Sequence, residues 1–210
     1  MTEDNLFLSQ QELILQRTVR DFANQELSQR AREIDQEENF PWTNFTEIGK
    51  LGLLGIGIDE KYGGVGGGSK EVSIVVEEIA SVCAATSVIY AAHLGLAMQT
   101  IARFGTEEQK KRFLPALTVG NSVAAFALSE PEGGSDVAAL STTGTLDGEQ
   151  YTINGSKLFI TNGDVADTFV VFTTHDKSLG NKGFDCFIIE KGSQGFFANR
   201  QSGKMGMRAS

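Results

Sequence analysis

The 210-residue chain has few of the residues that build metal sites, disulfide frameworks and rigid linkers. It contains two cysteines, Cys83 and Cys186, and two histidines, His93 and His175. These residues do not form the spacing of a zinc site, so the sequence predicts no metal centre. Two isolated cysteines fit packing roles in a reducing compartment better than a disulfide. Three prolines against 24 glycines predict tight turns rather than a proline-rich linker.

Positive charge and long apolar runs are also scarce. Lys and Arg number 18 against 27 Asp and Glu, which gives a formal net charge of −9, and the basic residues form no dense block. Nucleic acid and anionic membrane surfaces are therefore not expected partners. No apolar run approaches the ~20 residues of a membrane helix, so no membrane span is expected. Residues 1–5 are acidic, unlike a signal peptide, and predict a cytoplasmic protein, or one of the mitochondrial matrix if the protein is eukaryotic.

The first 121 residues carry helical patterns. Residues 9–12 and 106–109 are capping boxes, which mark helix starts. The predicted helices run from residue 10 to about Ile34, over 42–50 with Pro41 in the first helical position, from a Ser69 cap, over 86–104, and from residue 107. The helix over 86–104 is apolar nearly all round and is expected to be buried, with His93 as a core residue rather than a catalytic one.

A glycine-rich stretch at residues 58–68 invites comparison with a phosphate-binding loop. The lysine and hydroxyl residue of such a loop are missing, and no βαβ unit surrounds the stretch. We therefore interpret it as a structural loop.

From Val123 the pattern changes to short strands. Strands are predicted over residues 123–128, 141–146, 151–153, 157–161, 169–174 and 184–190. Asp147-Gly148 is a strong hairpin signal. Because helices come first and strands follow, the predicted class is α+β: an all-helical domain over 1–121, then a mostly antiparallel β domain over 122–210.

Residues 127–136 lie where the helical pattern gives way to strands. Two hydroxyls, three carboxylates and a Gly-Gly pair surround Pro131 there. Gly133 and Gly134 can adopt backbone angles closed to other residues and would let a ligand approach the main chain. Loops at such junctions often form binding sites. From these residues alone, a binding site and a polar connecting turn both remain open.

With these motifs in hand, the chain resembles the acyl-CoA dehydrogenase family. Four segments carry the resemblance: the glycine loop at 62–66, residues 104–110 with 113–115, the main signature at 127–136, and the flavin segment at 151–157 with 159–163. Their order and spacing agree, and together they span essentially the whole chain. The signature and the flavin segment are specific, whereas the glycine loop alone is a weak match.

The resemblance implies a helical N-terminal domain, a β-barrel-like middle domain and FAD as cofactor. The family oxidises the Cα–Cβ bond of an acyl-CoA thioester to the trans-2-enoyl-CoA, with a carboxylate taking the α proton and hydride passing to flavin N5. It also implies an electron-transferring flavoprotein as electron acceptor and a homotetramer as the full-length form.

The resemblance also implies site residues. The implied cofactor-binding residues are Phe126, Leu128, Ser129, Gly134, Ser135, Phe159, Ile160 and Thr161. Ser129 and the neighbouring amides would stabilise the reduced flavin near N1 and C2, and Thr161 would lie near N5. Phe159 would flank the ring, with plain core packing as the alternative. Ser135 would also meet the substrate's pantetheine arm. Asn181 would lie near the CoA nucleotide, or else form a solvated hairpin tip.

The family's catalytic base is a glutamate in a C-terminal domain, which the resemblance places downstream of Ser210. The β domain is therefore expected to be incomplete at its C-terminal end, and the chain alone is expected to carry no catalytic residue and no activity. Glu130 is expected to fix the shape of its loop rather than to replace the base. Two other interpretations remain: a non-catalytic module that binds flavin, CoA or a partner, and an oxidase or hydroxylase relative.

Overall fold

The structure is a computed structural model that describes residues 7–210, so the acidic start at residues 1–5 lies outside the described residues. Seven α-helices come first: α1 Gln10–Phe22, α2 Ser28–Glu37, α3 Trp42–Lys50, α4 Ser69–Ala80, α5 Ala84–Ala91, α6 Gln99–Phe104 and α7 Glu107–Thr118. The π-helical turn Ala23–Leu27 joins α1 to α2, and the π-helical turn Ala92–Met98 joins α5 to α6. Within residues 7–210, no helix is long and apolar enough to cross a membrane.

The predicted helix starts agree with the structure to within two residues, the largest difference being the helix predicted from residue 86, which begins at Ala84. Ser9 and Thr106 cap α1 and α7 with both bonds of a capping box, as predicted. Pro41 is the N-cap of α3 rather than its first residue, and Ser69 is the first residue of α4 rather than its cap. The π-helical turns were not predicted.

The glycine-rich stretch uses its backbone for its own folding. The amide of Val65 donates to Gly55 O over 3.0 Å, and that of Gly66 donates to Ile58 O over 3.0 Å. The amide of Gly64 donates to Asp59 O over 3.2 Å. These amides are directed into the loop, so they cannot cradle a phosphate. The interpretation as a structural loop is confirmed.

In the part of the chain that the structure describes, five strands form one open sheet: β1 Ala124–Ala127, β2 Thr143–Asp147, β3 Gln150–Asn154, β4 Thr168–Thr174 and β5 Phe184–Glu190. The central strand β4 pairs in parallel with β1 and antiparallel with β5. The hairpin β2–β3 joins β4 through one parallel pair, Thr143 with Thr174. The sheet is thus mixed rather than mostly antiparallel, and because it is open the barrel-like detail of the prediction is not confirmed.

The strand predicted over residues 157–161 is wrong. This segment makes no ladder in the described structure, because its polar groups bond elsewhere. The Leu158 amide donates to Ser129 O over 2.9 Å, and Phe159 has a φ of +58°, which a strand does not allow. The turn at Ile160 to Gly163 then reverses the chain, with a 2.9 Å backbone bond between them.

The helices and the sheet share one continuous hydrophobic core, which extends from Val19 in α1 to Val171 in β4. Strand β1 packs against the π-helical turn Ala92–Met98. His93, fully buried in that turn, accepts a 2.9 Å bond from the Ala124 amide at Nδ1, and its Nε2 lies 3.1 Å from Leu117 O. His93 is therefore a hydrogen-bonded core residue, as predicted.

The last residues of the chain fold back onto the helices. Ala209 is buried in a small cluster with Cys83 and Ala85, against which Ile34 of α2 packs. Arg208 pairs with Glu38 just beyond α2, and the Gly203 amide donates to the same carboxylate over 2.8 Å. We call residues 200–210 the returning segment. The returning segment packs against the C-terminal end of α2.

Candidate functional site

The candidate site begins where β1 ends and the chain turns sharply. The Glu130 amide donates to Gly133 O over 2.8 Å, and the Gly133 amide donates back to Glu130 O over 3.2 Å. Neither Gly133 nor Gly134 has a positive φ, so the expected special backbone angles are not used. A Cβ on Gly133 would lie 3.4 Å from the Ala139 carbonyl carbon, whereas one on Gly134 would meet nothing within 4 Å. Gly134 and Ser135 are thus an exposed, uncrowded part of the loop.

The Glu130 carboxylate holds this loop in place. It accepts bonds from the Ser141 amide and hydroxyl at 2.6 and 2.7 Å, and from the Thr142 amide at 3.0 Å. Lys157 Nζ adds a fourth donor at 2.7 Å. Burial alone would raise the pKa of Glu130, but the donors, with Lys157 first, outweigh it and hold the pKa at about 2. Glu130 is a permanently ionised anchor, as expected, and not a proton acceptor for catalysis.

Lys157 joins the two motifs that the sequence singles out. Its Nζ donates to Leu128 O over 3.0 Å as well as to Glu130. The next residue, Leu158, donates its amide to Ser129 O over 2.9 Å. Burial lowers the pKa of Lys157, and the Glu130 charge opposes that shift. Residues 128–130 and 157–158 are therefore held side by side by three hydrogen bonds.

Several donors at this junction face no protein partner. Within residues 7–210, the amides of Leu128 and Ser129 make no hydrogen bond to the protein. The same holds, over the described residues, for the hydroxyls of Ser129, Ser135 and Thr161. Leu128 and Ser129 are half-buried, and Thr161 is too, so these groups are sheltered without being paired. Donors in such positions suit a polar ligand, since an unsatisfied polar group is costly to shelter from water.

Phe159 and Asn162 flank the other predicted residues. Phe159 is 72% exposed despite being apolar, and its φ of +58° is rare for a bulky residue. The alternative of plain core packing for Phe159 is therefore wrong. Asn162, with a φ of +67° and only 1% exposed, donates from Nδ2 to Ile89 O and Ala124 O, both at 3.2 Å. Asn162 thus fixes one end of the segment to α5 and β1.

A cavity of about 1130 Å³ lies between one face of the sheet and the returning segment. Of the predicted cofactor residues, Phe159, Ile160 and Thr161 line it, together with Ala127 and Val171 of the sheet. The other predicted residues lie outside this lining: Phe126, Leu128, Ser129, Gly134, Ser135 and Asn181. The Phe126 ring lies 5.0 Å from the Phe172 ring, on the sheet face opposite Ala127, because side chains alternate along a strand.

The two residues predicted to meet substrate lie on neighbouring segments. Ser135 precedes the 3₁₀ turn Val137–Ala139, and Asn181 lies in the 3₁₀ segment Lys177–Gly183 between β4 and β5. These two segments pack against each other, and both Ser135 and Asn181 are exposed. Asn181 therefore lies in an exposed connection of two strands, a position open to a ligand or to solvent.

Lys157 and Asn162 are site residues that were not predicted from the sequence. Lys157 is a lone cation in a segment that otherwise reads as apolar, and Asn162-Gly163 is a turn signal. Both features were visible, but their partners are distant in sequence, so the contacts could not be inferred from spacing. No group of three or more potential metal ligands occurs within residues 7–210.

Comparison with family models gives two adjoining matches. Residues 9–121 match the acyl-CoA dehydrogenase N-terminal domain, and residues 125–210 match the acyl-CoA dehydrogenase middle domain. A curated relative, the short-chain specific acyl-CoA dehydrogenase of Clostridium acetobutylicum, is 44% identical over 203 residues, covering 97% of this chain and 54% of its own length. The chain thus spans about half the length of the curated relatives it matches.

Solved structures agree with the sequence matches. The butyryl-CoA dehydrogenase of Megasphaera elsdenii is 36% identical with a TM-score of 0.90, covering 96% of this chain and 54% of that chain. A chain in a structure titled for the electron transferring flavoprotein of Acidaminococcus fermentans gives a TM-score of 0.92 at 37% identity, covering 98% and 54%. A glutaryl-CoA dehydrogenase of Mycobacterium smegmatis, solved in complex with FADH2, gives 0.89 at 30%, covering 96% and 51%. The fold and the sequence together show that this chain belongs to the acyl-CoA dehydrogenase family.

Proposed function

We propose that this chain supplies the flavin-ring side of the active site of an FAD-dependent acyl-CoA dehydrogenase. The reaction is the oxidation of the Cα–Cβ bond of an acyl-CoA thioester to the trans-2-enoyl-CoA. The observation that carries the proposal is the 2.9 Å bond from the Leu158 amide to Ser129 O, which places the two specific family motifs side by side. The FADH2 complex of the glutaryl-CoA dehydrogenase relative supports FAD as the cofactor.

The residues of this junction fit a flavin. The cofactor supplies a hydride acceptor at N5, and its reduced form needs donors near N1 and the C2 carbonyl. We assign the donor role to the amides of Leu128 and Ser129 and to the Ser129 hydroxyl, which have no protein partner within residues 7–210. The Thr161 hydroxyl is the donor near N5, and the exposed ring of Phe159 is the apolar wall beside the isoalloxazine.

The remaining predicted residues complete the cradle. Phe126, Gly134 and Ile160 contribute backbone and apolar contacts to the cofactor. Ser135 and Asn181 receive the pantetheine and nucleotide parts of the CoA thioester, because both are exposed on segments that pack together. Ala91, Ala92 and Leu96, on the buried helix beside β1, border the space for the acyl chain. Leu96 is 49% exposed, although it belongs to a largely buried π-helical turn.

We assign some parts of the reaction to this chain and others to the part of its relatives' length that it does not cover. The helical domain is residues 1–121 and the β domain residues 122–210. The catalytic glutamate base lies in the uncovered part. An electron-transferring flavoprotein is the electron acceptor, which the A. fermentans structure supports. The full-length protein is a homotetramer of the cytoplasm, or of the matrix in a eukaryote.

Gel filtration after incubation with FAD tests the cofactor assignment. We expect flavin absorbance to elute with the protein, and Ser129→Ala to weaken binding of the reduced cofactor by about 1–3 kcal/mol because one hydrogen bond is lost. Protein that elutes free of FAD would favour a module that binds CoA or a partner instead.

Turnover tests the location of the base. The 210-residue protein with FAD is expected to give no dye reduction with butyryl-CoA, because no residue here acts as the base. Measurable turnover would place the base within this chain. Oxygen consumption in place of dye reduction would indicate an oxidase.

A further inference from the structure

We propose that Lys157 is a positioning residue that strengthens the Ser129 amide as a hydrogen-bond donor to the reduced flavin. The inference rests on the proposed function, because it concerns how this chain treats a bound flavin. It starts from a single contact: Lys157 Nζ lies 3.0 Å from Leu128 O, the carbonyl of the peptide whose other end is the Ser129 N–H.

The geometry of a peptide explains the effect. In a trans peptide the C=O and N–H point in opposite directions, so fixing Leu128 O also fixes the direction of the Ser129 N–H. An ammonium on the carbonyl polarises the peptide and makes its N–H a stronger donor. The Ser129 N–H has no partner within residues 7–210, so the strengthened donor is available to a ligand.

The surroundings of Lys157 favour a specific role over a surface contact. The Lys157 side chain is 11% exposed and that of its partner Glu130 is 0% exposed. Glu130 is held by the backbone and hydroxyl of Ser141 and by the backbone of Thr142, so it cannot follow Lys157 if the lysine moves. Glu130 therefore directs the ammonium onto Leu128 O and keeps it there.

The same contacts position residues 157–162, the segment that we propose faces the flavin. Leu158 follows Lys157 directly, and its amide bonds Ser129 O over 2.9 Å. Asn162 holds the far end of the segment through Ile89 O and Ala124 O. Loss of Lys157 would release the near end only, so the segment would stay attached to the core.

The test is the reduction potential of bound FAD in three variants. Lys157→Met should make the potential more negative by about 30 mV, which is a tenfold weaker preference for the reduced flavin in a two-electron couple. Lys157→Arg keeps a cation, so its reduction potential should lie close to that of the wild type. Lys111→Met, an exposed helical lysine with the same change of net charge, is the matched control and should leave the potential unchanged.

The double variant Lys157→Met/Glu130→Gln separates the peptide effect from the charge of Glu130. It also removes the unpaired buried carboxylate that could prevent Lys157→Met from folding. If the reduction potential of the double variant remains more negative than that of the wild type, Lys157 acts through the peptide. A potential that returns to the wild-type value, or that never changes in Lys157→Met, overturns the inference. Wild-type protein that binds no FAD would instead overturn the proposed function, and the inference with it.

Discussion

At the residue scale, His93 joins two elements while remaining uncharged. Its Nδ1 accepts from the Ala124 amide, so Nε2 carries the proton that faces Leu117 O at 3.1 Å. Burial lowers the pKa of His93 to about 4, and the bond to Leu117 O only partly opposes this. The folded state therefore excludes a second proton that the unfolded chain readily accepts. The link between the helices and β1 is consequently sensitive to acid.

His93 predicts how stability depends on pH. Because the pKa is lower in the folded state than its ordinary 6.5, the stabilisation is complete above pH 6.5 and is lost as the pH falls towards 4. The loss at the acid end should be on the order of 3 kcal/mol. Urea unfolding at pH values between 4 and 6.5 measures this loss of stability. His93→Gln should be less stable near neutral pH, but its stability should change little across this pH window; a steep slope in His93→Gln would contradict the assignment.

Replacing Phe159 is expected to affect thermal stability and FAD binding in opposite directions. A left-handed backbone costs a bulky residue about 1–2 kcal/mol, and the ring is 72% exposed, so it gains little from burial. Asn tolerates this conformation. We expect Phe159→Asn to match or exceed the wild type in thermal stability while binding FAD more weakly. Phe197→Asn, also highly exposed, is the control. If Phe159→Asn destabilised the protein without changing FAD binding, the assignment of Phe159 to the flavin would be wrong.

At the element scale, the glycine-rich loop between α3 and α4 depends on close backbone contact. A Cβ on Gly64 would lie 2.0 Å from Ile58 O, whereas one on Gly66 would meet nothing within 4 Å. Gly64→Ala should lower the free energy of unfolding by about 3 kcal/mol or more, because backbone atoms must move. Gly66→Ala should cost about 1–2 kcal/mol from its φ of +68° alone. Chemical denaturation compares the two, and equal losses would argue against the steric explanation.

The elements also show what the sequence could and could not predict. Capping boxes at Ser9 and Thr106 depend on residues three apart, and both were predicted correctly. The predicted strand over 157–161 failed because its hydrogen bonds go to distant residues, such as Leu158 to Ser129, 29 positions earlier. The mixed character of the sheet likewise comes from the parallel pairing of β1 with β4, which local alternation does not reveal. Motif resemblance located the candidate site, but not Lys157, whose role comes from tertiary contacts.

At the scale of the whole molecule, one core links the helices to the sheet. Asn162 bridges α5 and β1, and Asp167 Oδ2 accepts the Val123 amide over 3.0 Å beside it. The core cluster continues from α1 through the π-helical turns to β4. Neither the helices nor the sheet can lose its packing without exposing the other.

This shared core predicts cooperative unfolding. Urea transitions followed by fluorescence of Trp42, the single tryptophan, and by far-UV circular dichroism should coincide. Asn162→Ala should shift both midpoints together and cost about 2 kcal/mol, because two buried carbonyls lose a donor. Asn121→Ala, at an exposed position, is the control. Separate transitions for the two probes would show that the protein does not unfold as one cooperative unit.

The returning segment has a consequence for how the protein is made. Arg208 meets Glu38 across 170 residues of sequence, and Ala209 completes a cluster on Ile34. Ribosomes add roughly 5–20 residues per second. The residues that cover the end of α2 are therefore made on the order of 10–30 s after α2 itself. During that interval the nascent helices present an unfinished apolar surface. Chaperone contact with this part of the nascent chain should therefore persist until the returning segment has emerged.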